Sequence, residues 1–88
     1  MDEERIKKLG QKLKPLVRIG KNGVTEGMVD EINRHLEDED ILKIKILRNC
    51  PVRDHEELTA VLEEKTYGHV VEHRGNTVLL VDKDELNR

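Results

Sequence analysis

The chain lacks serine, tryptophan and phenylalanine, and it contains one tyrosine, Tyr67, and one cysteine, Cys50. The absence of serine excludes a serine nucleophile. A single cysteine cannot form an internal disulfide, which fits a reducing compartment such as the cytoplasm. Because Cys50 adjoins Pro51, we expect its thiol to be exposed, but the sequence suggests no histidine–acid pair to activate it.

Long apolar runs are also missing. No stretch approaches the roughly 18 residues that suggest a membrane span, so no membrane contact is expected. The first four residues, 1–4, include three acids and no apolar segment, which is unlike a signal peptide. With 88 residues, the chain is expected to form one domain over residues 1–88.

Charge is abundant and unevenly distributed. The net charge is −3, which argues against a polyanionic ligand if it is taken alone. However, residues 1–25 carry seven bases against three acids, and residues 43–53 carry four bases and no acid. Residues 26–42 carry seven acids against one base. A fold that brings the two basic blocks together would create a local basic face.

Hydrophobic periodicity, caps and turn residues predict seven elements. One helix is expected over residues 2–13. A second should begin after an N-cap at Thr25 and end at the acidic run 37–40, and a third should begin after an N-cap at Asp54 and stop at Gly68. Strands are expected at 16–19, 42–46, 69–73 and 77–81, the last two forming a hairpin. The order α-β-α-β-α-β-β predicts a single α/β domain with a four-stranded mixed sheet, in which strand–helix–strand units pair in parallel.

The loop Gly20-Lys21-Asn22-Gly23 lies between a predicted strand and a predicted helix. Both glycines can take positive φ and let backbone N–H groups approach a phosphate. The helix that follows offers free amides to an anion, while Lys21 and Asn22 add a charge and amide donors. An ordinary strand-to-helix turn would need glycine as well.

The neighbouring strands strengthen the functional interpretation. If they are adjacent and parallel, Arg18, Lys43 and Lys45 share one open face, with the glycine loop at its rim. The strands carry no aromatic side chains, so RNA contacts should go mainly to phosphate and ribose. The alternative is an ordinary polar sheet face filled by lysine.

Catalytic and metal-binding patterns are weak. His69 and His73 are expected on one strand face, while His35 and His55 lie on helices, which leaves no convergent set of ligands. No Walker-type phosphate loop or metal motif is present. We therefore expect no enzyme activity, no metal and no cofactor.

The string KPLVRIGKNGVTEG (residues 14–27) resembles the opening of CRM domains (chloroplast RNA splicing and ribosome maturation), especially the stand-alone YhbY-like proteins. The similarity continues through LKIK (42–45), GHVV (68–71) and RGNTVLL (74–80). It implies a fold like the C-terminal domain of translation initiation factor three. It further implies RNA binding through the glycine loop and nearby basic residues, and association with precursors of the large ribosomal subunit.

One departure matters. The family's last strand often ends in Leu-Tyr-Arg, whereas this chain has Leu80-Val81-Asp82. The candidate RNA-binding residues are accordingly those of the loop and of the two basic strands: Arg18, Gly20, Lys21, Asn22, Gly23, Lys43 and Lys45.

Two other functions stay open at this point. One is an adaptor whose acidic second helix docks a basic partner such as a ribosomal protein. The other is a small RNA-processing nuclease that uses His69 and His73. The sequence does not fix the RNA target or the oligomeric state.

Overall fold

The structure is a computed structural model that describes residues 2–52 and 54–86. The predicted order α-β-α-β-α-β-β is confirmed and is followed by one short helix that the sequence did not predict. The elements are α1 (Glu3–Lys12), β1 (Val17–Ile19), α2 (Glu26–Glu39), β2 (Ile41–Ile46), α3 (His55–Lys65), β3 (Gly68–Arg74), β4 (Thr77–Asp82) and α4 (Lys83–Leu86). None of the helices within the described ranges is long and apolar enough to cross a membrane.

The four strands form one mixed sheet in the order β1-β2-β4-β3. β1 and β2 pair in parallel, as the strand–helix–strand unit predicted, and β4 is antiparallel to both of its neighbours. The expected parallel pairing of β2 with β3 is not formed, because β4 lies between them. The hairpin therefore folds back so that its second strand occupies the centre of the sheet.

Two of the helix starts carry the caps that the sequence predicted. The backbone N–H of Met28 donates to Thr25 Oγ1 at 3.2 Å, and that of Glu57 donates to Asp54 Oδ2 at 3.1 Å. Asp2 caps α1 in the same way, through a 2.8 Å bond from the Arg5 N–H. Each bond satisfies an amide that the helix itself leaves without a partner.

Two helix ends differ from the prediction. The acidic run does not stop α2, which continues through Glu39 and ends at Asp40, a left-handed residue with φ 64°. Gly68 does not stop α3 either. The helix ends at Lys65, and the buried Thr66 closes it by donating its hydroxyl to the Leu62 carbonyl at 2.6 Å. Gly68 instead begins β3, where a Cβ would lie 3.1 Å from side-chain atoms of the core.

The sheet is covered on both faces. The main core lies between one face and the helices α2 and α3, and it includes Ile19, Ile32, Ile44, Leu58 and Leu80 among its buried members. A smaller cluster lies between the other face and α1, formed by Ile6, Leu79 and Val81.

The apolar side chains of α1 and of Leu13, which follows it, are not all buried. Ile6 is fully buried, but Leu9 and Leu13 are 42% and 38% exposed. At Gly10 the helix comes so close to β4 that a Cβ would lie 2.5 Å from Leu79 Cδ2. Ile6 and Gly10 therefore lie on the side of α1 that faces the sheet. Leu9 and Leu13 lie at the margin of this contact.

The thiol of Cys50 is buried, at 3% exposure, and the expectation of an exposed thiol is wrong. Its Sγ donates to the Val52 carbonyl at 3.2 Å, and the side chain belongs to the main core. Cys50 therefore packs as a small apolar residue.

Candidate nucleic-acid interface

One row of exposed side chains crosses all four strands. In the sheet register Arg18 of β1 lies opposite Lys45 of β2, Lys45 lies opposite Thr77 of β4, and Thr77 lies opposite Arg74 of β3. Residues directly opposite one another project from the same face. We call Arg18, Lys45, Thr77 and Arg74 the basic row. With neighbouring strands about 4.8 Å apart, the row spans roughly 14 Å.

The three bases of the row are exposed, and Thr77 is partly exposed. They share their face with α1, so the expectation of an entirely open sheet face is wrong. Because α1 packs over Leu79 and Val81, it leaves uncovered the end of the sheet where β1 and β2 finish. The prediction that Arg18 and Lys45 share one face is confirmed, and the row adds Arg74 to them.

Lys43 lies on the same face but has a different environment. It is half-buried, and its Nζ donates to the Gly10 carbonyl in the last turn of α1 at 3.3 Å. The Gly10 carbonyl also accepts from the Leu13 N–H at 3.1 Å, so the lysine adds a second contact, and a cation near the C-terminal carbonyls of a helix is favourable. Lys43 thus ties α1 to the sheet and is less available to a ligand than Lys45.

The loop Gly20–Gly23 begins where β1 ends, two residues after Arg18. The Gly23 N–H donates to the Gly20 carbonyl at 3.0 Å, which closes a tight turn with Lys21 and Asn22 exposed at its corner. Both corner side chains are exposed, as a phosphate-binding loop requires.

The two glycines of the loop are not equivalent. Gly23 has φ 65°, the left-handed conformation that glycine adopts without penalty, and it lies against the ring of Pro51. Gly20 does not have positive φ, contrary to the prediction that both could use it. A Cβ on Gly20 would make only ordinary contacts, at 3.5 Å, with Asn49 Oδ1 and Leu47 Cδ1.

Three loops meet at this end of the sheet. The Leu47 N–H donates to the Ile19 carbonyl at 2.9 Å, which places residues 47–51 beside the glycine loop. The Ile46 N–H donates to the Asn76 carbonyl at 2.7 Å, which brings the β3–β4 turn to the same edge. The loop, the row and the hairpin turn therefore lie at the same end of the sheet.

Arg74 is the site residue that the sequence argument missed. The sequence predicts that the strand ends at residue 73 and that Arg74 belongs to the following turn, whereas Arg74 is the last residue of β3. The signal that could have found it is the hairpin register, because a two-residue turn at Gly75 and Asn76 pairs Arg74 with Thr77.

His69 and His73 lie on opposite faces of the sheet, which contradicts their predicted shared face. A β-bulge shifts the register between Val70 and Glu72, so that His69 pairs with Val81 and His73 with Val78. The extra residue reverses the alternation of side chains beyond it.

Each of these histidines has its own surroundings. His69 contacts Glu3 of α1 at 3.4 Å and Glu63 of α3 at 3.3 Å, and so links the two helices at the sheet edge. The ring of His73 stacks on that of His55, with centroids 3.5 Å apart. Burial, followed by repulsion from the His55 charge, lowers the pKa of His73, and a backbone interaction with Gly75 partly offsets both.

The described residues contain no group of three or more metal-ligating side chains. The chemistry that the surface offers is instead the binding of an extended anion. One end of the sheet carries three exposed cations, a glycine turn and amide donors. The row itself carries no ring on which a base could stack.

Several known proteins are similar to this chain over most of its length. The chain matches the model of the CRS1/YhbY (CRM) domain over residues 2–81. It is 29% identical over 76 residues to Probable RNA-binding protein YqeI of Bacillus subtilis, a match that covers 86% of this chain and 78% of YqeI. It is 31% identical over 62 residues to Probable RNA-binding protein PA4753 of Pseudomonas aeruginosa, covering 70% and 56% of the two chains.

A plant relative is much longer. The CRS2-associated factor 1, chloroplastic, of Oryza sativa subsp. japonica is 32% identical over 77 residues, which is 88% of this chain and 11% of that protein. Among solved structures, the hypothetical protein SAV1595 from Staphylococcus aureus superposes with a TM-score of 0.76 at 27% identity, covering 92% of this chain and 83% of that one. The family model spans almost the whole chain and the likeness of fold agrees with it, so the chain belongs to the CRS1/YhbY (CRM) domain family.

Proposed function

We propose that this chain binds RNA through the basic row and the Gly20–Gly23 loop, and that residues 1–88 act as one RNA-binding domain. The observation that carries the proposal is the row itself, in which Arg18, Lys45 and Arg74 are exposed on one face at one end of the sheet. Two relatives that are named as RNA-binding proteins support it.

The ligand is recognised mainly by its phosphates. Lysine and arginine contacts to phosphate release counterions and give salt-dependent affinity. Such contacts fix the position of the RNA but read little of its sequence. The residue at the centre of the row is Thr77, which adds a hydroxyl rather than a stacking surface.

The biological role that we propose is ribosome assembly in the cytoplasm, on precursors of the large subunit. The resemblance of residues 14–27 to YhbY-like proteins motivates this role. The buried free thiol of Cys50 is compatible with a reducing compartment. The protein holds RNA without cleaving it, since the nuclease hypothesis required His69 and His73 on one face.

Crosslinking in cells, followed by sequencing of the bound RNA, tests this role. We expect large-subunit precursor RNA to be enriched with the wild-type chain, and the enrichment to be reduced with Arg74→Gln. Incubation of the purified protein with that RNA should return it intact, with or without Mg²⁺ and ATP. Enrichment that is unchanged in Arg74→Gln, or cleavage that scales with protein concentration, would contradict the proposal.

A second candidate is the adaptor function, which is favoured by the surface at the opposite end of the sheet. Glu37, Asp38 and Glu39 are exposed at the end of α2. Tyr67, 67% exposed, lines a depression of about 400 Å³ together with Glu37 and Asp82. A basic ribosomal protein would suit this charge.

Two variants separate the candidates. Binding to bare RNA that Arg74→Gln weakens supports the RNA-binding function. Binding only to a basic protein, lost in Tyr67→Ala and kept in Arg74→Gln, would favour the adaptor.

A further inference from the structure

The stacked histidine pair lies where the basic row ends. His55 is the first residue of α3, and His73 is the next-to-last residue of β3. Their rings are 3.5 Å apart between centroids and 17° from parallel. Because the rings belong to different elements, packing of α3 on the sheet holds them together. The only aromatic residue of the chain, Tyr67, lies at the other end of β3.

The pair adjoins the last cation of the row. His73 directly precedes Arg74, and β3 is the edge strand of the sheet. Arg74 projects from the face of the row, and His73 projects toward α3 on the other face. A strand of RNA whose phosphates follow the row to Arg74 therefore arrives at the edge where the two rings lie.

His55 also lines a shallow depression of about 370 Å³ on the surface of α3. Its other lining residues are Glu56, Thr59, Ala60 and Glu63. The two carboxylates repel a phosphate, but their oxygens accept hydrogen bonds from the amino groups of bases. Glu63 already accepts from the Val70 N–H at 3.2 Å, which leaves the exposed Glu56 as the better-placed acceptor.

His55 is the exposed member of the pair, whereas His73 is half-buried and its Nδ1 is buried. A base held in the depression would meet the outer imidazole face of His55 and a carboxylate rim, a combination that suits an aromatic ring with N–H donors at its edge. Unpaired bases in RNA are commonly bound by stacking on aromatic side chains, including histidine.

We propose that the His55–His73 pair and the adjoining depression bind one unpaired nucleobase that carries an amino group, next to the phosphates held by the basic row. The inference rests on the proposed RNA-binding function and deepens it. The ligand is RNA in which a helix adjoins a bulged or single-stranded nucleotide, with adenine, cytosine or guanine preferred to uracil at that position.

The experiment compares two RNAs, a blunt-ended duplex and the same duplex with one bulged cytidine, at about pH 8 where an ordinary histidine is neutral. We expect the wild-type chain to prefer the second RNA by about fivefold or more, the range of a single base stacked on an aromatic ring. His55→Ala should reduce the preference to about one. His55→Phe, which keeps a flat ring, should retain it and so controls for folding.

A direct reading of stacking comes from 2-aminopurine in place of the unpaired cytidine. Its fluorescence should fall on binding to the wild-type chain and to His55→Phe, but not on binding to His55→Ala. Replacing the unpaired cytidine with uridine should weaken the preference of the wild-type chain. Glu56→Gln should weaken the preference for the RNA that carries the unpaired cytidine.

The outcomes separate the two proposals. If the wild-type chain binds both RNAs with equal affinity, the proposed nucleobase site is overturned and the RNA-binding function stands. If His55→Ala keeps the preference, the nucleobase site is likewise overturned. If neither RNA is bound, the RNA-binding function and the nucleobase site are both overturned.

Discussion

Arg18 and Lys45 lie directly opposite each other on the two parallel strands β1 and β2, and both side chains are exposed on one face. Like charges in that position destabilise a sheet. Arg74 extends the same row two strands further. A bound phosphate would relieve the repulsion, so the row fits selection for a ligand better than selection for stability.

The first prediction separates the two lysines of β2. Lys45→Gln should raise the free energy of unfolding by about 0.2–1 kcal/mol at low salt, because it removes a like-charge pair. Salt should reduce this gain by screening. Lys43→Gln, its matched control, should lower stability by about 0.5–1.5 kcal/mol, because the hydrogen bond to the Gly10 carbonyl is lost. Urea unfolding at two salt concentrations measures both.

A loss of stability in Lys45→Gln, or a gain that salt does not change, would contradict the repulsion argument. If Lys43→Gln does not lower the free energy of unfolding, the contact with Gly10 contributes little to the packing of α1.

The second prediction concerns the glycine loop. Gly20→Asp places a carboxylate at the rim of the row without backbone strain, since only ordinary contacts surround that position. RNA affinity should fall by about tenfold or more because of like-charge repulsion. Gly20→Asn has nearly the same shape without the charge, and it should lose much less. Fluorescence anisotropy with a labelled hairpin compares the two, and equal losses would exclude a phosphate path beside Gly20.

A third prediction uses the left-handed conformation of Gly23. Gly23→Ala should cost about 1–2 kcal/mol of unfolding free energy, because an L-residue is strained at φ 65°. Gly20→Ala should change it by no more than about 0.5 kcal/mol. Thermal or urea unfolding gives both values, and equal costs would mean that the turn relaxes at Gly23.

A fourth prediction follows from the lowered pKa of His73. Because its pKa is lower in the folded state than the ordinary 6.5, the unfolded chain binds more protons between the two values. The stability contribution is therefore complete above about pH 6.5 and declines as the pH falls through the folded-state pKa. His73→Asn should lose less stability than the wild type between about pH 7.5 and pH 5.

The difference between the two unfolding curves isolates His73 from the many carboxylates that titrate nearby. Parallel curves for the wild type and His73→Asn would contradict the lowered pKa.

Much of the fold follows from local features of the sequence. Thr25 and Asp54 cap the helices that they were predicted to cap, because capping depends on residues only three positions apart. The alternation from Leu42 to Ile46 predicts which side chains of β2 are buried, since side chains on a strand alternate between faces.

What the sequence could not predict depends on non-local packing. The bulge between Val70 and Glu72 moves His73 to the face opposite His69, and no pattern within β3 reveals it. The bond between Lys43 and Gly10 joins residues that are 33 positions apart. The hairpin register pairs Arg74 with Thr77, but Arg74 joins Lys45 and Arg18 in one row only because β4 pairs with β2, which the chain order does not specify.

The most direct test of the central claim is the salt dependence of RNA binding when the cations of the row are removed. The wild-type chain, Arg74→Gln and the triple variant Arg18→Gln/Lys45→Gln/Arg74→Gln are titrated with a paired hairpin over a range of KCl. Lys65→Gln, exposed in the last turn of α3, serves as the charge control. Circular dichroism checks that each variant is folded. The slope of log affinity against log salt should flatten by about one for Arg74→Gln and by about three for the triple variant, and should not change for Lys65→Gln. A folded triple variant that keeps the wild-type slope would contradict the claim that the basic row holds the RNA.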